Sequence, residues 1–500
     1  MLNLRSPAPQ RIVVLGGGTA GWFAAIALRR LFSPKVDVQV IESSSIGIVG
    51  VGEGGLLNFI NALQRYQIDI DEFVRETGAA WKWGFSYEGW RTGGEDDRFY
   101  HLFASRETPV SRWSERGFYP CLSAMIGQNI PLESYLAASP LIKANTPQDQ
   151  ASALLKDNGG DIVPSFHFDS YKLATYLKKV ALSRGVMHLD TVVEEVVFDQ
   201  QGQARTLRCA DNRTIDVDFL IDASGLSRKV LGKSMGGKWH SFSDYLLMDS
   251  AIPFYMPHPR ENPMLVTRAI TMDAGWMWQI PLIERVGAGY VFSSKHISGQ
   301  QAIAEIEQRL GYAITPHKTL RFDPGCFEEV WVGNVMALGL SSGFVEPLEA
   351  TSIGQMLEQL YSFERVLVHS QGIISDKTIR EFNQANFQSW LGIRDFLRMH
   401  YDNTRRDTPL WQAVSESPYP ESYRALRECW QERTPRLLDV ESYAINGWRG
   451  IFHAINWMFV AAPLGVVPPR AGQMDLLALP AEKRQQALNF AAERHQEINR

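Results

Sequence analysis

The chain reads as an α/β protein with a mixed sheet, helices around it, and a mainly helical C-terminal part. Three observations predict this. A short apolar strand, Arg11–Leu15, runs through a glycine turn into a helix and then a second strand, Val36–Ile41. Two further apolar strands, Phe219–Asp222 and Val335–Leu338, each end in a small-residue turn. From about residue 362 the pattern is amphipathic at helical spacing, most plainly over Phe382–Met399 and Pro480–Asn499.

The first unit carries Gly16-Gly17-Gly18-Thr19-Ala20-Gly21 between its strand and the helix Trp22–Leu31. That is G-x-G-x-x-G in the full strand–turn–helix setting of a dinucleotide fingerprint. Gly16 permits the tight turn, Gly18 lets the backbone approach a pyrophosphate, and Gly21 lets the helix pack on the strand. Glu42 ends the second strand and can accept hydrogen bonds from a ribose 2′-OH. The fingerprint does not separate FAD from NAD. The order of the later elements favours FAD. Phe219–Gly225, with Asp222 and Gly225, is like the second flavin-contacting strand of two-dinucleotide-fold flavoproteins. Val335–Gly343, with Leu340 and then Ile353 beyond it, is like the third, near the flavin ring. A helix over Asp169–Ser183 and strands over Val186–Phe198 come between, and in such folds the backbone near Val193 meets the adenine. The expected class is therefore a flavin monooxygenase-like, FAD-binding α/β fold. Residues 1–361 should form the FAD module, from segments of about 10–60, 165–230 and 330–361, with the substrate region interleaved. Residues 362–500 should cover the substrate.

Composition excludes several classes. With 500 residues and 45% hydrophobic content the chain can bury a large core. A net charge of -5, a pI near 6.2 and scattered Lys and Arg leave no nucleic-acid footprint. The cysteines Cys121, Cys209, Cys326 and Cys429 lie far apart with no metal-ligand spacing, as in a reduced cytosolic protein, and no metal is expected. Met1–Gln10 is not a signal peptide, and the apolar run Ile455–Val467 is interrupted and too short to span a bilayer. A cytoplasmic protein without a membrane or nucleic-acid partner is expected. A homodimer is left open.

Four other stretches carry chemistry. Gly339–Ser352 is a glycine turn opening a helix, with Glu346 and Glu349 in it; acids in a first helical turn are also ordinary dipole partners. Gly50–Gly55, including Gly52, suits a loop passing close to a ligand, or a plain flexible loop. Lys82 stands between Trp81 and Trp83, with Phe85, Tyr87 and Trp90 following. Composition favours an edge-strand lysine in solvent; the functional reading is a lysine held dry as a charge or nucleophile. Phe99–Phe103 puts His101 and Phe103 on one face of a strand, either as core or as a slot for a planar substrate. Trp276 and Trp278 share a strand face in Trp276–Pro281.

Trp276-Met277-Trp278-Gln279-Ile280-Pro281 is also W-x-W-x-I-P. With it the chain resembles the flavin-dependent halogenases of the tryptophan halogenase family. Gly16–Gly21 matches that family's FAD motif, Lys82 its catalytic lysine, and Glu349 in Pro-Leu-Glu-Ala-Thr-Ser its catalytic glutamate. Thr351 and Ser352 fall on its halide site, and His101 and Phe103 on residues that sandwich the indole. The resemblance implies a reaction of reduced FAD, O2 and chloride or bromide that yields hypohalous acid. Lys82 would hold that species and pass the halogen to an electron-rich aromatic carbon. Glu349 would orient it or remove the ring proton. Trp276 and Trp278 would guard the flavin side, and Glu346 would keep its role as a dipole partner. A lysine buried among indoles should have a lowered pKa, which a nearby carboxylate would oppose. No second fingerprint for a nicotinamide is present, so a separate flavin reductase should supply reduced FAD.

The departures from the family lie in Gly52-Glu53-Gly54-Gly55, where Gly-Glu-Ala-Thr is usual, and in the C-terminal third. Tryptophan-specific members clamp the amino acid with two tyrosines and a glutamate. Here Tyr443 stands alone, with no acid before Trp457, which could still stack on a ring. Indole or a simple derivative is thus expected rather than free tryptophan. The rival readings are an FAD-dependent aromatic hydroxylase and a catalytically silent FAD-binding protein.

Overall fold

The computed structural model describes residues 2–4, 11–47, 50, 52–94, 96–104, 118–157 and 164–498. Most of the N-terminal stretch discussed above, Val51 of the glycine loop and Asn499 of the last helix lie outside the described residues.

The fingerprint strand Arg11–Leu15 is central to a six-stranded sheet. Its neighbours are Phe219–Asp222 on one side and Asp37–Glu42 on the other. Val335–Ala337 pairs next to Phe219–Asp222, and Met187–Asp190 next to Asp37–Glu42. All these pairs are parallel, and the antiparallel strand Trp331–Val332 closes one edge. Ile12, Val13 and Val14 are all buried, as a parallel sheet covered on both faces requires. Strands some 200 and 320 residues after the fingerprint thus flank it, as the interleaved reading expects. The helices Thr19–Leu31 and Ser170–Ser183 pack beside it, the second capped by the Asp169 side chain.

A second sheet has seven strands in the order 320–321, 250–256, 286–292, 275–281, 267–272, 84–88 and 98–102. The tryptophan strand Gly275–Pro281 is in its middle and is buried along its length. A small sheet of Glu53–Gly54, Ser165–Phe168 and Ala80–Lys82 stands next to it in the chain path. The chain passes from the small sheet to the large one at Trp83-Gly84. Gly84 has φ +142°, and a Cβ there would lie 2.3 Å from the His101 carbonyl oxygen, so only glycine makes this bend.

The C-terminal part is helical, as expected: Asp376–His400, Pro409–Glu416, Glu421–Trp430, Ala454–Ala461, Pro469–Leu477 and Ala481–Ile498. The apolar run at 455–467 is a short buried helix and turn; among the described residues no helix is long and apolar enough to cross a membrane. The long helix Asp376–His400 ends against an aromatic cluster centred on Trp90, whose ring lies 5.4 Å from Tyr401, 6.3 Å from Trp276 and 5.9 Å from Trp411. Rings at such separations add about 0.5–1.5 kcal/mol per pair beyond area burial. This packing fixes the helix end over the tryptophan strand, and with it the two residues that reach the acids described below.

Candidate active site

The fingerprint turn has the geometry assigned to it. Gly16 has φ +122°, and a Cβ there would lie 2.1 Å from the Ala223 carbonyl oxygen; one on Gly21 would lie 1.9 Å from that of Gly16. A Cβ on Gly18 would meet nothing within 4 Å. Gly18 is the N-cap of Thr19–Leu31, and no side chain caps the first-turn N–H groups, those of Thr19 and Ala20 among them. That cradle suits a pyrophosphate. Glu42 Oε1 accepts a hydrogen bond from Lys178 at 2.8 Å and lies 2.9 Å from His188 Nε2, while its other oxygen lies over Gly17 at the turn. Gly339 has φ +64°, and a Cβ there would lie 2.8 Å from that of Ala20, so the turn bearing Leu340 sits on the start of the fingerprint helix. Ile353 is buried two residues into the following helix, Thr351–His369. Gly225 is open, with φ +69°, and Val193 opens the strand Val193–Phe198. Asp222 presents no free carboxylate: its oxygens accept from Ser224, Val230 and Leu231 and build the turn. In the glycine loop, Gly52 packs on Ile280 and Leu282 at the end of the tryptophan strand. Glu53 beside it is half-buried, and desolvation of its carboxyl pushes it up to about 7 against the pull of the Ser170 and Thr19 hydroxyls.

Lys82 is completely buried, so the solvent-edge reading fails. Strand alternation turns it away from Trp81 and Trp83 and into the interior. Its Nζ lies 4.0 Å from the Phe85 ring centre and 5.5 Å from that of Phe103, with no hydrogen-bond partner. A Cβ on Gly54 would lie 2.7 Å from Nζ, so the departure at this loop makes room for the amine. Burial lowers its pKa to about 7, and the Glu349 charge opposes that fall. The expected contest between desolvation and a carboxylate is therefore present.

Glu349 is equally buried and lies in a strained turn. It and Ala350 have φ of 64° and 52°, costly for residues with a Cβ. One carboxylate oxygen, Oε1, accepts from the Tyr87 hydroxyl and contacts His101 Nδ1 at 2.7 Å and His400 Nε2 at 3.1 Å. Oε2 has no partner. Burial would raise this carboxyl, but the two imidazoles outweigh it and hold it well below the usual carboxylate range. The structure thus joins Lys82 and Glu349, each with one bare polar atom.

Glu346 is not a dipole partner at a helix start. The helix begins only at Thr351, and Glu346 is buried, accepting from Trp276 Nε1 at 2.6 Å and from the Tyr401 hydroxyl. Burial pushes its carboxyl up to about 7 against both donors. The turn carrying both acids was legible, but not its αL bend, which turns Glu349 and Glu346 into separate networks. Trp278 lies 6.4 Å from Trp276 on the same strand face.

His101 is buried in the site. Its edges hold Glu349 and Asn456, and its ring is near Phe85, Phe396 and Phe459 at 6.1–6.3 Å. Phe103 lines the Lys82 side. Trp457 is one ring further out, 4.9 Å from Phe396, on a small cavity shared with Tyr443, Ile451 and Phe452. An acid does reach Tyr443: Asp395 accepts from its hydroxyl at 2.6 Å, and also from Arg394 and Ser422, so it is fully engaged. Thr351 Oγ1 is buried without a partner at the N-terminus of a 19-residue helix, and Ser352 is half-buried beside it. A small anion suits that position. Tyr87, His400, Tyr401 and Asn456 were not singled out in the sequence. Tyr87 continues the alternation of Phe85 and was findable; the others are placed by the docking of helices that sequence periodicity does not orient.

The tryptophan halogenase family matches residues 11–478. This chain belongs to that family. It is 42% identical over 484 residues to an uncharacterized protein, y4xG, of Sinorhizobium fredii, covering 97% of this chain and 95% of that one. It is 30% identical to the tryptophan 7-halogenase RebH of Lentzea aerocolonigenes, over 93% of this chain and 92% of that one. Its fold is similar to that of a flavin-dependent halogenase from Xanthomonas campestris, with a TM-score of 0.82, 27% identity, and 98% and 96% of the two chains covered. As a halogenase of this family the enzyme depends on FAD, O2 and a halide, and on a separate flavin reductase. The open cradle at Gly18 fits the FAD pyrophosphate.

Proposed function

We propose that this halogenase relays an electrophilic halogen through Lys82 to a neutral indole-type aromatic, with Glu349 taking the ring proton. The observation that carries the reading is the pair of bare buried atoms, Lys82 Nζ and Glu349 Oε2, in one dry site. FAD would be held by Gly16, Gly18, Thr19, Ala20, Gly21 and Glu42 at the fingerprint. Gly52, Val193, Gly225, Leu340 and Ile353 would line it, and Asp222 would shape its turn. Reduced FAD supplies the electrons with which oxygen and halide become hypohalous acid. Thr351 and Ser352 hold the halide, chloride or bromide alike. Trp276, fixed by Glu346, and Trp278 beside it shield the flavin side.

A neutral Lys82 amine attacks the halogen, forming an N–halogen bond and releasing water. The aromatic carbon then takes the halogen from nitrogen, and its ring proton passes to Glu349 Oε2 and from there to the Lys82 nitrogen, which restores both the amine and the carboxylate. The amine must be neutral to attack, and a pKa of about 7 leaves half of it so at neutral pH. The low dielectric strengthens the hold of Glu349 on the positive ring intermediate. Residues 1–361 carry the FAD module and 362–500 the substrate cover, which meets the site through His400 and Asn456.

The substrate lacks an amino-acid arm. The acid bonded to Tyr443 at the Trp457 cavity, Asp395, is satisfied by Arg394, Ser422 and Tyr443 and has no oxygen for an ammonium group. RebH is named for tryptophan, and this chain departs from that reading here. Incubation with reduced FAD, O2 and bromide, with indole and free tryptophan in competition, tests it by product mass. Haloindole in excess is expected; preferential halotryptophan contradicts the reading.

A further inference from the structure

We propose that His400 is the resident cation of the site, a doubly protonated imidazole that serves as counter-ion to Glu349 and leaves Lys82 free to be a neutral amine. The hydrogens on each ring nitrogen can be counted from their partners. His400 Nδ1 lies 2.8 Å from the Phe396 carbonyl oxygen, which can only accept, so Nδ1 carries a hydrogen. Nε2 lies 3.1 Å from Glu349 Oε1 and 3.2 Å from the Tyr87 hydroxyl. Tyr87 has one hydrogen and gives it to Glu349, its closer partner.

His101 can be assigned as well. Asn456 Oδ1 accepts from the His453 N–H at 2.8 Å, so its amino group is the one turned to His101 Nε2 at 3.0 Å. Nε2 of His101 therefore accepts, and its single hydrogen is on Nδ1, donated to Glu349 Oε1. His101 is neutral. Were His400 also neutral, its bare Nε2 would face a carboxylate oxygen lone pair to lone pair. Oε1 already takes two donated hydrogens, so the extra proton belongs on the imidazole.

The groups facing His400 agree with this assignment. The rings of Tyr87, Trp90 and Phe396 surround it at 5.1, 6.2 and 5.1 Å. The titratable groups in contact are Glu349 and Tyr87; His101 and Lys82 act through Glu349, and Tyr401, the next residue, is bonded to Glu346. A buried carboxylate needs a charged partner. If His400 provides it, Lys82 need not, and its amine can stay neutral for attack. The role given to Lys82 rests on the proposed function; the protonation state of His400 does not.

The test uses the full chain labelled with ring-15N histidine, with the His400 signals assigned by their loss in His400→Gln. At pH 8 both ring nitrogens of His400 should give imidazolium shifts, and His101 should show the neutral tautomer with its hydrogen on Nδ1. A His400 with one bare nitrogen at pH 8 overturns the proposal, and this readout requires no halogenation. The second arm follows single-turnover halogenation against pH. His400→Gln can still donate to Glu349 but lacks the charge, so Lys82 must become the counter-ion. Its acid limb should move up by about one unit, roughly a fivefold loss of rate at pH 7. A His400→Gln profile superimposable on wild type would mean a merely structural donor and overturns the proposal.

Discussion

Lys82 offers the prediction with the most direct arithmetic. With a pKa of about 7, half of its amines are neutral at pH 7. A solvent lysine with the usual value has about 3 in 10,000 neutral at that pH, so burial gives a gain of roughly 10³ in the reactive form. Glu349 works against the shift, so Glu349→Gln should carry the Lys82 midpoint below 7, with each unit worth about tenfold in neutral amine under acid conditions. Reductive methylation with formaldehyde is small-probe chemistry that only the neutral amine undergoes. Mass spectrometry then compares the Lys82 peptide with free lysine added as a reference, across about pH 5–11. Labelling of Lys82 should plateau above about pH 8, while the ε-amine of the free lysine keeps rising through its usual titration range. Parallel curves for the two amines, or a Glu349→Gln midpoint above that of wild type, would refute the reasoning.

Glu346 makes stability depend on pH, with a definite sign. Its folded value of about 7 is above the usual 4.5, so the unfolded chain loses this proton first; the contribution is full below 4.5 and is lost as pH rises through 7. Relative to Glu346→Gln, wild type should lose about 3 kcal/mol over that window by urea unfolding, and Glu53, shifted alike, cancels in the difference. Gly18→Val should keep the FAD-free protein's unfolding midpoint within about 1 kcal/mol, since a side chain there meets no protein atom, yet weaken FAD at least tenfold by fluorescence titration. Thr351→Val should raise the halide KM several-fold without moving FAD affinity, as read from steady-state kinetics and the same titration.

What the sequence made legible follows from local chemistry. The fingerprint glycines were readable because each has a steric reason that holds within one strand–turn–helix unit: contact at Gly16 and Gly21, open space at Gly18. The long C-terminal helices were readable from a period near 3.6. Lys82 was ambiguous because alternation gives its direction but not whether that face meets water or Phe85 and Phe103. Glu346 was misread because a dipole role assumed the helix began after Pro347, whereas the strained bend at Glu349 and Ala350 delays it. His400 and Tyr401 were invisible for a related reason. They act at the end of a 25-residue helix, and the axis on which that helix docks is decided by the Trp90 cluster far away in the chain.

The central claim is that Lys82 carries the halogen to the aromatic carbon. Purified wild type and Lys82→Ala, each with reduced FAD, O2, bromide and indole, test it by product mass alongside FAD binding. Wild type should give haloindole only when halide is present. Lys82→Ala should bind FAD as wild type does and give no haloindole. Undiminished haloindole from Lys82→Ala, or a hydroxylated product from wild type without halide, would contradict the account.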